Sequence, residues 1–276
     1  MSEFSHILLT RFNVRMQWGY AFRGCDPDWL AERFGLFDRY CFPSIAAQTN
    51  TNFTWLVFFD SETPTAFRNR LARYETFEPF RPVFVQEFNR DVFRETLDRF
   101  GFLNRPFLVT SRVDNDDALA CDYIDRVQKA FAGQERTFIN FPKGLILRKG
   151  ALFQGYDIHS HFVSLIKKSD EPLTVYVDHT RIKEYGAVAQ IDNRPAWLEV
   201  RHFGRLSDKG VCPSWRPVRR MEVAHLFPSI TEFQGVSWLS DTARCTSERM
   251  GQLLRRINRR FRSLVQRHKT LPTSAS

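Results

Sequence analysis

Residues 109–118 read VTSRVDNDDA, an apolar, β-branched run that ends in Asp114, Asn115, Asp116 and Asp117. Three carboxylates within four residues repel one another unless a cation balances them. In an extended chain residues two apart point to the same side, so Asp114 and Asp116 present their carboxylates together if the strand geometry persists to its end. Clustered hard oxygen donors suit Mg2+ or Mn2+, ions commonly held by one or two carboxylates and completed by water and substrate phosphates. A nucleotide diphosphate is the natural companion of such an ion. The same residues also fit a plain polar turn in which Asp116 or Asp117 caps a following helix.

The surrounding pattern decides where this motif stands. HILLTRFNV (6–14), TWLVFFD (54–60), RPVFVQEF (81–88) and RPFLVTSRV (105–113) read as strands. Between them the spacing predicts helices over 29–48, from Pro64 to about 77, and over 91–100, with another following over 117–132. Strands alternating with helices predict an α/β fold with a mainly parallel central sheet and helices on both sides. In such sheets ligands bind beyond the carboxyl ends of the strands, which is where DNDD falls. Asp60 closes the second strand in the same manner, either as a helix-entry residue or as a partner for a nucleobase or ribose. Further on, TFINF (137–141), GLILR (144–148) and LTVYV (173–177) are apolar runs, HFVSLIKK (161–168) reads as a short helix, and 187–220 is rich in loops.

These segments carry a resemblance. FDRYCFPSIAAQTNTNFTWLVFFDSETP (37–64) followed by TSRVDNDDAL (110–119), with NFPKGLIL (140–147), TVYVDHT (174–180) and PAWLEVRHFGRLS (195–207), resembles the bacterial rhamnosyltransferase family within the GT-A glycosyltransferases. The resemblance spans roughly residues 6–210. It implies a GT-A-like fold, a nucleotide-sugar donor, and sugar transfer to a glycan or lipid-linked acceptor, in the service of surface glycan synthesis. It further implies that Asp114 and Asp116 flank the metal and the donor's ribose and diphosphate. Asp60 would approach the nucleoside, while Thr10, Arg11 and Asn13 line the same pocket and Arg112 offsets diphosphate charge. A further metal ligand in GT-A enzymes often comes from a late histidine, here His202 after WLEV, with His179 as its rival.

Asp157, Asp178 and His179 are candidates for the base that deprotonates an acceptor hydroxyl. His159 and His161 have a spacing that chelates on a strand, but an isolated His-x-His reads more simply as surface polar sequence and suits softer transition metals better than magnesium. GxGxxG, GxxxxGK[ST], HExxH and GxSxG are all missing, which counts against dinucleotide enzymes, P-loop NTPases, zincins and α/β-hydrolases.

The chain of 276 residues, 43% hydrophobic with 27 phenylalanines, has material for a large aromatic-rich core. Five cysteines (Cys25, Cys41, Cys121, Cys212 and Cys245) form no CxxC pair, and no run of about 18 apolar residues and no leader pattern occurs, so a cytoplasmic protein is expected. The formal charge of +9 looks like a nucleic-acid signal until it is located: eight Lys and Arg and no acid fall within residues 249–276, leaving residues 1–248 nearly neutral. This divides the chain into a domain over 1–248 and a basic amphipathic helix and tail over 249–276. Leu253, Leu254, Ile257, Phe261, Leu264 and Val265 share one helical face with arginines between them. Over 249–269 such a helix either docks on the domain or lies peripherally on the anionic inner face of a membrane; no nucleic acid is expected. The rival functions are a metal-dependent nucleotide or phosphodiester hydrolase using the same acids, and a non-enzymatic adaptor acting through the tail.

Overall fold

The apolar runs that alternate with helical segments become the middle of a seven-stranded sheet in the computed structural model, which describes residues 3–15, 23–171, 173–202 and 216–231, with scattered residues between 239 and 257. Four parallel strands form its heart: β1 (Phe4–Arg11), β2 (Thr54–Asp60), β3 (Phe80–Val85) and β4 (Phe107–Arg112). Helix α1 (Pro27–Leu36), a π turn over Phe37–Cys41 and α2 (Phe42–Ala46) lie between β1 and β2. The wider turn precedes Pro43, which has no N–H to give to the carbonyl four residues back. Helix α3 (Thr65–Arg68), extended by a 3-10 turn, and α4 (Arg90–Arg99) complete this half.

Beyond β4 the pattern changes. A two-residue strand β5 (Ala118–Leu119) precedes α5 (Tyr123–Lys129), then come β6 (Arg136–Asn140), β7 (Lys143–Arg148), β8 (Ala151–Tyr156) and β9 (Val163–Lys168). The last joins the main sheet antiparallel to both β4 and β6, while β10 (Ala187–Gln190) adds parallel to β6, giving the order β10-β6-β9-β4-β1-β2-β3. A second sheet has the order β12-β8-β7-β11-β5, with β11 (Trp197–Arg201) and β12 (Arg216–Pro217). Helix α6 (Arg220–Val223) closes the layer over it. The architecture is α/β with a mostly parallel main sheet, as the alternating pattern implies.

One local expectation is corrected. HFVSLIKK is a strand, not a helix, because Val163 to Lys167 are buried between two neighbouring strands, and a short apolar run lacks the length to show its periodicity. LTVYV is a loop: Val175 plugs into the core without joining either ladder.

Strand alternation sorts the core. Leu8, Trp55, Val57, Phe59, Val109 and Ile139 face α1, α2 and α5, packing with Phe34, Phe37, Tyr123 and Val127. Ile7, Leu9, Leu56, Phe58, Leu108 and Phe138 face the other way, onto Phe93 and Leu97 of α4 and onto Ile182. Helices therefore cover both faces of the sheet, and each nearly continuous hydrophobic strand is explained by burial on both sides. A third cluster, including Leu145, Leu147, Leu198, Phe227 and Ile230, fills the second sheet.

A buried polar chain crosses the main sheet. His6 Nε2 pairs with Ser111 Oγ at 2.9 Å, Ser111 Oγ with Ser164 Oγ at 2.6 Å, and Ser164 Oγ with the Tyr123 hydroxyl at 3.1 Å, while Gln128 Nε2 donates to His6 Nδ1 at 3.2 Å. The donation to Nδ1 requires a neutral ring whose Nε2–H donates to Ser111. Burial lowers the His6 pKa to about 3.

Two predictions follow from this packing. A Cβ at Gly144 would lie 2.0 Å from Trp197 Cδ2, so Gly144→Ala is expected to destabilise the fold by about 3 kcal/mol in chemical denaturation. The unfolded state binds a proton at His6 near pH 6.5 whereas the folded state does so only near pH 3. Stability from this group is therefore complete above pH 6.5 and falls as pH drops through that window, at up to about 1.4 kcal/mol per pH unit. His6→Asn should flatten the pH dependence of stability between pH 6.5 and 4 relative to the native chain; parallel curves would refute this.

Candidate active site

The parallel strands β1, β2 and β4 end side by side, bringing Arg11, Asp60 and Arg112 to one edge of the sheet. DNDD follows β4 directly but is not extended. Asp117 N donates to Asp114 O at 3.2 Å, closing a turn, so the two-residue alternation that would pair Asp114 with Asp116 stops at Arg112. Each side chain of the turn goes its own way.

Asp117 is completely buried. Its Oδ1 accepts the Val200 N–H of β11 at 2.8 Å and its Oδ2 lies 3.2 Å from His161 Nε2. Burial opposes a charge on His161, but the hydrogen bond and charge of Asp117, with Asp114 behind it, outweigh that and raise the imidazole's pKa. Asn115 Nδ2 donates to Phe12 O at 2.9 Å, tying the turn to the end of β1. Asp116 Oδ2 accepts from Arg33 Nη1 of α1 at 2.8 Å and lies 2.8 Å from His202 Nε2. The Asp114 carboxylate makes no hydrogen bond or ion pair among the described residues.

The expected metal set of Asp114, Asp116 and His202 is thus divided. Asp116 and His202 meet each other, whereas among the described residues the three groups whose ligand atoms converge within 4.8 Å are Asp114, Asp117 and His161. Two carboxylate oxygens and one imidazole form a donor set that fits a divalent ion, provided that His161 gives up its proton. The signal for His161 was the His-x-His spacing; nothing local announced Asp117 over Asp116, or Arg33.

The residues expected to line a nucleotide pocket fall into two groups. Thr10 is fully buried and donates to Val113 O while accepting from Trp55 Nε1, both at 3.0 Å. Asn13 donates to Gly24 O and Thr63 Oγ1 and accepts from Asp60 N. Asp60, also fully buried, accepts Arg15 Nε at 2.8 Å and the Glu62 N–H at 2.7 Å. These three knit the strand ends together. Arg11 and Arg112 form the second group, their guanidinium carbons 4.4 Å and 5.9 Å from the centre of the Tyr176 ring. Arg112 is buried and anchored by Nε to His161 O at 2.5 Å, and burial lowers its pKa while Asp114 raises it.

His179 stands beside His161, with ring centroids 6.1 Å apart. Burial, then the charges of Arg112 and His161, lower its pKa to about 4, so it is neutral at physiological pH. Asp178 is exposed and spends Oδ1 capping a 3-10 turn through Thr180 N (2.9 Å) and Thr180 Oγ1 (2.7 Å), bonds that lower its pKa. Asp157 Oδ1 accepts the His159 N–H at 2.8 Å on the loop that carries His161.

No curated protein sequence matches the chain. Among solved structures, residues 1–349 of S. aureus TarS in complex with UDP align at 9% identity and a TM-score of 0.44, over 72% of this chain and 60% of that one. A "putative nucleotide-diphospho-sugar transferase" from Desulfovibrio desulfuricans G20 aligns at 13% identity and a TM-score of 0.37, over 71% and 82%. The inositol-1-phosphate CTP transferase from T. maritima aligns at 11% identity and a TM-score of 0.34, over 86% and 99%. This chain thus spans less than two thirds of the TarS fragment. The family described as "Putative rhamnosyl transferase" matches residues 19–209, which include DNDD, His161, His179 and His202. The chain belongs to that family.

Proposed function

We propose that the protein is a glycosyltransferase that moves a sugar from a nucleotide-diphosphate donor to a hydroxyl of a glycan or lipid-linked acceptor. Rhamnose is the sugar the family's description suggests, and surface glycan synthesis the process it would serve. The observation that carries this reading is the gathering of Asp114, Asp117, His161, Arg112 and His179 beyond the carboxyl ends of parallel strands, in a chain of this family.

Asp114, Asp117 and His161 would hold the ion. Two carboxylates suit Mg2+ or Mn2+, and the imidazole favours Mn2+. Bound there, the metal would supply Lewis-acid stabilisation of the leaving diphosphate. Arg112 and Arg11 add fixed positive charge at the same edge, with Arg112 held in place by His161 O and both arginines by the Tyr176 ring. His179 enters the reaction uncharged, so its ring can accept the proton of the acceptor hydroxyl as that oxygen bonds to the sugar and the sugar–diphosphate bond breaks. Asp178 Oδ1 is already committed to a cap, and Asp157 Oδ1 is engaged with His159 N.

The tail supplies a membrane reading for the acceptor. Described residues on both sides of position 248 are helical, and Met250, Leu253, Leu254 and Ile257 are each more than half exposed, so the domain does not cover their apolar face. Residues 258–276 lie outside the described residues, but their sequence continues the arginine-rich pattern. No described helix is long and apolar enough to cross a membrane. Peripheral contact with an anionic lipid surface through residues 249–269 fits this composition, and a cytoplasmic enzyme at the inner face would meet a lipid-linked acceptor there.

With a panel of nucleotide sugars and Mn2+, Asp114→Asn should lower kcat/KM at least about 100-fold while the melting temperature stays within a few degrees. Metal binding should weaken as pH falls through the raised His161 pKa, because the ring must lose its proton to become a ligand. Normal turnover by Asp114→Asn would remove the proposed site, and donor cleavage without any acceptor would replace transfer with hydrolysis. The full chain should sediment with vesicles containing anionic lipid in a salt-sensitive manner, and a chain ending at residue 248 should not; equal binding by both would exclude the tail as the contact.

A further inference from the structure

The loop between β8 and β9 that delivers His161 to the site begins with two uncovered side chains. Tyr156, the last residue of β8, is 60% exposed, more than any other aromatic among the described residues, and Ile158 is 45% exposed. The ring does not hang free. Its hydroxyl donates to Asp192 Oδ2 at 3.3 Å, and Asp192 Oδ1 lies 3.1 Å from Nζ of Lys143, the residue directly opposite Tyr156 in the β7–β8 ladder. The chain beneath it is fixed as well. Asp157 N donates to Pro142 O at 2.8 Å, and Asn140 Nδ2 reaches Asp157 O at 3.4 Å and Gln190 Oε1 at 2.7 Å. Gln190 Nε2 in turn donates to Ile158 O at 3.0 Å. An aromatic face is thus held open to solvent, with a carboxylate and an ammonium at its hydroxyl end.

Charge and position decide what covers such a face. The charges of Lys143 and Asp192 cancel, and Asp157 next to the ring adds a negative one, so the face disfavours phosphate and fits a neutral ligand. A purely apolar partner would strip water from the carboxylate and the ammonium and give nothing back. A sugar meets both demands, because one face of its ring carries C–H groups that lie against the π cloud while its hydroxyls bond to the charged groups at the edge. Position agrees with this. Five residues separate Tyr156 from His161, at most about 17 Å of chain, and the charge of Asp157 reaches His179, where it opposes the lowering of that ring's pKa. The face borders the proposed base.

We propose that Tyr156, braced by Asp192 and Lys143, is a stacking platform for a neutral sugar unit of the acceptor, which holds the glycan while a hydroxyl of another unit lies at His179. The inference rests on the glycosyltransferase reading and deepens it: the acceptor is a carbohydrate chain, seated on the side of the site formed by the β8–β9 loop.

Saturation-transfer difference NMR of the full chain tests this with the methyl glycosides of rhamnose, glucose, galactose, mannose and N-acetylglucosamine, in the absence of donor and metal. At least one glycoside is expected to receive saturation, concentrated on the C–H protons of one ring face. Tyr156→Ala and Tyr156→Leu should each reduce that transfer at least about fivefold, the second because an aliphatic side chain keeps apolar area but has no π face. Tyr156→Trp should retain it. Asp192→Ala releases the hydroxyl and should reduce transfer less, and circular dichroism checks that every variant is folded. If Tyr156→Ala does not fold, Tyr156→Leu and Asp192→Ala decide the matter. The platform is overturned if the native chain transfers saturation to none of the glycosides, or if transfer is equal in the native chain and either uncharged replacement of Tyr156 by Ala or Leu. Donor turnover by Asp114→Asn judges the transferase reading in its own assay, so each of the two can fail alone.

Discussion

One buried carboxylate organises the site. Asp117 has no exposure to solvent, and its two oxygens are used by Val200 N and His161 Nε2. A buried anion without partners would be expensive, so the surroundings must supply donors in fixed places. Those donors come from the second sheet through Val200 of β11 and from the loop between β8 and β9 through His161. The two sheets are thereby joined at the point where the main sheet ends. Replacing His161 would take a donor from a buried carboxylate oxygen, which costs more than the bond itself contributes.

Packing behind His161 transmits the same constraint into the core. The His161 ring lies 4.0 Å from Phe162, Phe162 stacks on Trp197 at 4.9 Å with an 8° interplanar angle, and the Trp197 indole covers Gly144. Trp197 Nε1 also donates to Phe141 O at 2.8 Å, which fixes the ring's orientation. A loop held this way keeps little conformational freedom, the condition under which preorganised charges act most strongly.

Charge in the site is arranged in pairs of unequal kind. Arg15 neutralises Asp60 and Arg33 lies against Asp116, both at 2.8 Å, whereas Arg11 and Arg112 gather around Tyr176, and Asp114 has no ion pair among the described residues. The first two acids are electrostatically satisfied by the protein. The second group carries more positive than negative charge, a balance suited to a polyanionic ligand. Positive charge thus stands at the strand ends and in the sequence of residues 249–276, while residues 1–248 are nearly neutral as a whole.

Much of the frame was legible in the order of residues. The buried strands TWLVFFD and RPFLVTSRV read as strands because burial on both faces leaves continuous apolar runs, and Asp60 and DNDD marked where two of them end on one edge of the sheet. Short runs were less informative: VSLI satisfies a helix or a strand equally, and only pairing with β4 and β6 made it β9. Residue type told that DNDD carries three acids and that His161, His179 and His202 were available. Which acid meets which histidine was decided by the turn after Arg112, which ended the two-residue alternation and sent Asp114, Asp116 and Asp117 in separate directions. Asp117 and His161 are 44 residues apart, and Arg33 and Asp116 are 83 apart. Local sequence sets the period and chemistry of each element, but the meeting of distant side chains depends on how β11, α1 and the β8–β9 loop pack around one buried charge, a property that only the tertiary structure holds.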